Sequence, residues 1–175
     1  MTQYLDMTQA KGCFGVIPEN GETIILTGVS IYSMPLSVKQ KEGKVYADFA
    51  QKYGVHFIFD DCIPEINFYT VPWIEIGATD NDGGFIASVG ESFSLYNSVP
   101  LIYIASDRNI YLITEDSSEF LSIASVWKDK FAPYDGITLY ASKEDARKEY
   151  PIIDFEKTEQ YQKLTQMKYD SNYHK

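Results

Sequence analysis

The chain predicts an α+β fold: a mainly antiparallel sheet built from consecutive hairpins, with helices packed on one side. Three observations point to it. Apolar residues alternate with a period of two on both sides of Asp80-Asn81-Asp82-Gly83-Gly84. A second pair of apolar runs, Leu101–Ala105 and Ile110–Ile113, flanks Ser106-Asp107-Arg108-Asn109, a turn sequence. Helical spacing brackets this strand-rich block, at 44–53 before it and from Asp116 after it.

Each element has a local reason. Residues 14–18 and 23–32 predict short strands around the turn Pro18-Glu19-Asn20-Gly21, the second rich in β-branched residues. Val45, Tyr46, Phe49, Ala50 and Tyr53 recur at spacings of three and four, and Gly54 follows as a C-cap. Val55–Phe59 reads as a strand stopped by Asp60-Asp61. Ile74, Ile76 and Ala78 then alternate with Trp73, Glu75 and Gly77, and beyond the turn Phe85, Ala87 and Val89 alternate with Ile86 and Ser88. Asp, Asn and Gly between such runs tolerate positive φ and bond their own backbone, so this is a hairpin. Asp116 is an N-cap with Glu119 three residues on, followed by Phe120, Ala124, Trp127 and Phe131 at helical spacing. Ser142 opens a further short helix, with Lys143-Glu144-Asp145 in its first turn. Phe155 to Lys168 predicts a loosely amphipathic helix, and the last residues fray. The organisation expected is one domain over 1–154 and a C-terminal helical extension over 155–175.

The 175 residues suffice for a sizeable core, and 14 Tyr beside 10 Phe and 2 Trp supply amphipathic rings for half-buried faces or binding surfaces. The N-terminus lacks a basic start and an apolar stretch, and no run reaches the length of a membrane span. Cys13 and Cys62 make no disulfide framework, which predicts reduced thiols in a cytoplasm. Net charge is −10 and unevenly spread. From residue 53 to 107 the chain carries Asp60, Asp61, Glu65, Glu75, Asp80, Asp82, Glu91 and Asp107 and no Lys or Arg. That distribution argues against nucleic acid, whose phosphates need a basic face, and suits a basic protein partner. The same carboxylates also serve solubility and guard strand edges.

The search for chemistry excludes more than it finds. A calcium loop counted from Asp80 places Asp82 at position 3 and Glu91 at 12, but Gly84 at 5 has no side-chain oxygen and strands flank the loop. His56 and His174 are too few for a histidine zinc site or a Ser-His-Asp machine, and His174 stands in the tail. His56 and Cys62 suggest a thiol–base pair, against the plainer reading of a packed histidine and a buried free cysteine. Asp60 and Asp61 are adjacent on a strand end and point to opposite faces. Gly83-Gly84 lacks the Lys-Ser/Thr of a phosphate loop. No catalytic residue, metal site or cofactor is assigned.

The stretch from 72 to about 124 resembles the SUKH superfamily, which includes yeast cell-wall-synthesis regulators and bacterial toxin-immunity proteins. The likeness lies in segment order: WIEIGATDNDGGFIASVGE, then PLIYIASDRN with its return IYLIT, then a helix opening on Ser117, Ser118, Glu119, Phe120 and Leu121. Residues 1–43 depart from the family's pattern, which starts on a helix, and form a diverged front. The resemblance implies a non-enzymatic role: binding and neutralising a polymorphic toxin, often a nuclease.

The residues expected at a partner face are the acids Asp60, Asp61, Glu65, Glu75, Asp80 and Asp82, with Tyr69, Trp73 and Tyr96 as aromatic anchors. Trp73 also reads as core. The alternatives are a regulatory or scaffold protein of the same fold without a toxin partner, and a small-ligand binder or enzyme built around Asp60 and Asp61.

Overall fold

The computed structural model describes residues 1–8, 21–163 and 166. Its strands are β1 (Thr2–Asp6), β2 (Thr23–Thr27), β3 (Val29–Ile31), β4 (Val55–Phe57), β5 (Tyr69–Val71), β6 (Ile74–Asp80), β7 (Phe85–Val89), β8 (Leu101–Ile104), β9 (Ile110–Thr114), β10 (Ala132–Pro133), β11 (Thr138–Tyr140) and β12 (Ile152–Asp154). The helices are α1 (Leu36–Tyr53), α2 (Phe120–Ile123) and α3 (Lys143–Arg147), with 3-10 turns on either side of α2. This is an α+β arrangement of open sheets. Among the described residues no helix is long and apolar enough to cross a membrane.

The main sheet runs in the order β10-β9-β8-β7-β6-β3, and β4 shares the outer edge of β6 with β3. Both expected hairpins are present: β6 pairs antiparallel with β7, and β8 with β9. β3 lies parallel to Ile74–Ile76, and β4 lies antiparallel to Ala78–Asp80. The register slips between these two halves, at Gly77. A bulge of this kind reverses which face the next side chain points to. Ile74 and Ile76 accordingly face one core, whereas Ala78 faces the other, against the unbroken alternation the sequence suggests.

The first core holds Ile74, Ile76, Phe85, Ala87, Ile102 and Ile104 under Ile58, Phe68 and Ile137. Loops, not helices, cover this face. The second holds Ala78, Ile86, Tyr103 and Ile113 under Phe120, Ala124 and Trp127, with Phe49 and Tyr53 of α1 half-buried beside them. The expectation of helices on one side therefore holds for α1 and α2. It does not hold for α3, whose Ala146 packs with Tyr69, Val71, Tyr140 and Ile152 in a separate cluster.

A second sheet, β12-β1-β2, is wholly parallel and joins the ends of the described chain to its front. β5 and β11 form a separate antiparallel pair. Gly28 carries the chain from β2 into β3 at φ +99, and a Cβ there would lie 2.4 Å from Thr8 Oγ1. The expected single strand over 23–32 is thus two strands in two sheets. α1 starts at Leu36 rather than 44, because Pro35 supplies an extended N-cap with a fixed φ. Gly54 closes it in the left-handed conformation, as expected, donating its N–H to Ala50 O at 2.8 Å. Asp116 and Ser142 cap as expected, accepting from Ser118 N and Asp145 N. The segment after Asp116 is broken rather than one helix, with Val126 outside helical space at φ −132. The expected strand over 14–18, the residue Cys13 and the end of the expected C-terminal helix, with His174, lie outside the described residues. Phe155–Lys157 is a 3-10 turn, Phe155 is buried, and helical backbone follows at 159–163.

Candidate functional site

The 80–84 turn is built around Asp80. Its carboxylate accepts the backbone N–H groups of Gly84 (2.7 Å) and Asp82 (3.1 Å), the Tyr103 hydroxyl (2.8 Å) and Lys128 Nζ (2.7 Å). Gly83, at φ +79, makes the turn. Burial pushes the Asp80 carboxyl up, but the hydrogen bonds from Lys128, Tyr103 and Gly84 outweigh it, and its pKa lies below the ordinary value. Lys128 Nζ also meets Asp82 at 2.7 Å. Asp80 is therefore a buried turn-closing group, not a member of a contact face.

Burial removes two further expected contacts. The Tyr69 hydroxyl lies within the fold, donating to Asp6 Oδ1 at 3.0 Å and meeting Thr27 Oγ1 at 2.8 Å, and burial pushes its pKa up. Trp73 is buried with its indole N–H on Ser30 Oγ at 2.9 Å. Glu75 is half-buried and accepts the Phe93 N–H at 2.5 Å; burial raises its pKa despite that bond. Among the expected contact residues, Asp60, Asp61, Glu65, Asp82 and Tyr96 are exposed.

The exposed acids do not converge. β4 runs from Val55, opposite Asp80, to Phe57, opposite Ala78, so the chain travels away from the 80–84 turn before it reaches Asp60. Asp60 accepts from Ser33 Oγ, and Asp61 pairs with Lys39 Nζ at 2.6 Å. The two carboxylates have separate partners, and they stand in a turn beyond β4 rather than on the strand end the sequence suggests. The window from 53 to 107, free of bases in sequence, receives Lys39 and Lys128 in space. His56 and Cys62, expected to be packed, are both exposed, and His56 Nε2 bonds Asn81 Oδ1 at 2.6 Å.

What does converge is apolar. α1 lies across the edge of the second core without one fully buried residue. On one flank it leaves a groove of about 580 Å³ that is edged by Lys39, Lys44, His56 and Asp61. On the other flank is a groove of about 410 Å³, walled by α1, the 93–96 segment and Leu121. Exposed large apolar side chains gather there: Tyr96 (83% exposed), Val45 (67%), Leu121 (49%) and Tyr32 (45%). Phe49, Phe57 and Phe93 form its floor. The far wall is held in place by Glu75 on the Phe93 amide and by the Phe93 ring, which lies against Gly77 where a Cβ would come within 2.0 Å. Trp127 Nε1, bonded to Tyr53 O at 2.9 Å, ties the Leu121-bearing segment to the end of α1.

Tyr96 is the one expected anchor in this groove; Tyr32, Val45 and Leu121 were not anticipated. Val45 and Tyr46 are successive residues of a helix, about 100° apart around its axis, so together they make the apolar face of α1 wide. That width was a signal in the sequence that part of the apolar face stays open.

Comparison with protein-family models, with curated proteins and with solved structures finds no match.

Proposed function

We propose that the chain is a non-enzymatic, acidic protein-binding module that captures a basic partner, in the manner of an immunity protein covering a nuclease toxin. The observation that carries the reading is the gathering of Tyr32, Val45, Tyr96 and Leu121 at one groove. Contiguous exposed apolar surface bordered by polar residues marks an interaction site. The net charge of −10 supports a basic partner, attracted over long range. The groups that looked most chemical support a non-catalytic role, since Asp80, Asp61 and His56 are each bonded within the fold. The toxin as partner rests on the SUKH resemblance alone.

The test is affinity capture of the full chain from its own cells at low and high salt, with partners identified by mass spectrometry. One dominant basic protein, retained at low salt and weakened at high salt, is the expected result, because screening shortens the reach of charge to about 3 Å at molar salt. Capture of no protein at either salt, or of an acidic one, overturns it.

A further inference from the structure

We infer that the groove between α1 and the 93–96 segment receives the apolar face of an amphipathic helix from the partner, with basic residues along that helix's flank. The inference rests on the protein-binding reading and adds the kind of element that binds. The wall supplied by α1 consists of Glu42, Val45, Tyr46 and Phe49. These follow the i, i+3, i+4, i+7 pattern of one helix face, about two turns or 10 Å long. A second helix laid alongside such a face fits its side chains between these ridges. An 18-residue helix with no fully buried residue has used only part of its surface on its own sheet.

The charge around the groove selects the flank. Glu42 is the charged residue among those lining it, facing Tyr46, whose pKa is raised by burial first and by the Glu42 carboxylate next. Leu121 stands two residues after the exposed Glu119. The 93–96 wall follows Glu91. Lys39 and Lys44 edge the other groove, Lys52 Nζ lies over the Tyr53 ring at 5.1 Å, and neither Lys52 nor Lys41 is among the residues lining the Tyr96 groove. An apolar stripe bordered by Lys or Arg complements this arrangement; one bordered by Asp or Glu is repelled.

Three synthetic helical peptides separate the terms. One has a Leu stripe with Lys flanks, one a Leu stripe with Glu flanks, and one Lys flanks with the stripe replaced by Gln. Each is titrated by fluorescence anisotropy against the full chain and against its Val45→Asp and Tyr96→Ala variants, both at exposed positions and checked for folding by circular dichroism. The Leu/Lys peptide is expected to bind best, and each variant to weaken it by about tenfold or more. Val45→Asp is decisive, because it adds negative charge. Attraction to net charge alone would strengthen binding to this variant, and that result overturns the inference. So does equal binding of the Leu/Glu or Gln/Lys peptide, or no binding of any peptide. If capture yields a basic protein whose retention survives Val45→Asp, the protein-binding reading stands and the groove assignment falls. If capture yields nothing, the reading itself falls.

Discussion

Asp80 shows how much one carboxylate can organise. Two turn amides, a phenol and an ammonium end on its oxygens. Removing one partner from a buried network leaves the others unsatisfied, which costs more than the bonds themselves. Asp80→Ala is expected to lower unfolding free energy by about 2–4 kcal/mol, less than the full cost of breaking a buried pair because Lys128 is 40% exposed. Asp80→Asn, which keeps an acceptor for the turn amides, should lose less. Urea unfolding of both variants checks this; a loss below about 0.5 kcal/mol for Asp80→Ala, the range of an ordinary surface change, would show that the cluster is incidental. The turn was legible from its Asp, Asn and Gly residues, but its depth was not. Burial of Asp80 depends on Tyr103 and Lys128, which lie 23 and 48 residues away.

At the scale of elements, α1 is the least committed part of the fold. Gly43 sits in its middle, where a Cβ would meet only Lys39 Cγ at 3.7 Å. Glycine there costs backbone entropy without steric need, so Gly43→Ala should stabilise by about 0.5–1 kcal/mol. Gly54, at φ +68, is the counter-example: alanine there is strained and should destabilise by a similar amount. Thermal melting of the pair checks both signs, and a fall for Gly43→Ala would mean that α1 needs its flexibility. The elements legible in the sequence are those whose signal is local. The two hairpins show alternation around turn residues, and the caps at Asp116, Ser142 and Gly54 show short-range hydrogen bonding. β1, β5, β11 and β12 were missed. They have three to five residues each, and their pairing is supplied by distant chain rather than by an adjacent turn. The acidic face was misread for a related reason: a window of sequence counts charges in order, while Lys39 and Lys128 arrive through space.

For the whole molecule, the acid limit of stability is set in part where the parallel strands end. Asp154 receives Lys143, and also Arg147 Nη2 at 2.9 Å and Lys157 Nζ at 3.1 Å. The hydrogen bond from Lys143, ahead of the opposing effect of burial, holds its carboxyl at about 2. A carboxyl depressed in the folded state stabilises above its ordinary pKa of about 3.9 and loses that contribution as pH falls through the folded value. Asp154→Asn is therefore expected to cost about 1–2 kcal/mol near neutrality, allowing for solvent screening of this partly exposed group. Variant and wild type should converge as pH falls from about 4 toward 2. Urea midpoints across that range check it, and a deficit that stays constant would assign the loss to packing.

The same sheet imposes an order of events during synthesis. β6 to β9 are neighbours in sequence and can pair once residue 114 has left the ribosome. β1 precedes the other described strands, yet β12, which covers one of its edges, ends at Asp154. Pairing between such distant segments is slow, and an uncovered strand edge invites association in the interval. Among the described strands, the one that comes first in sequence is therefore among the last to have both edges sheltered.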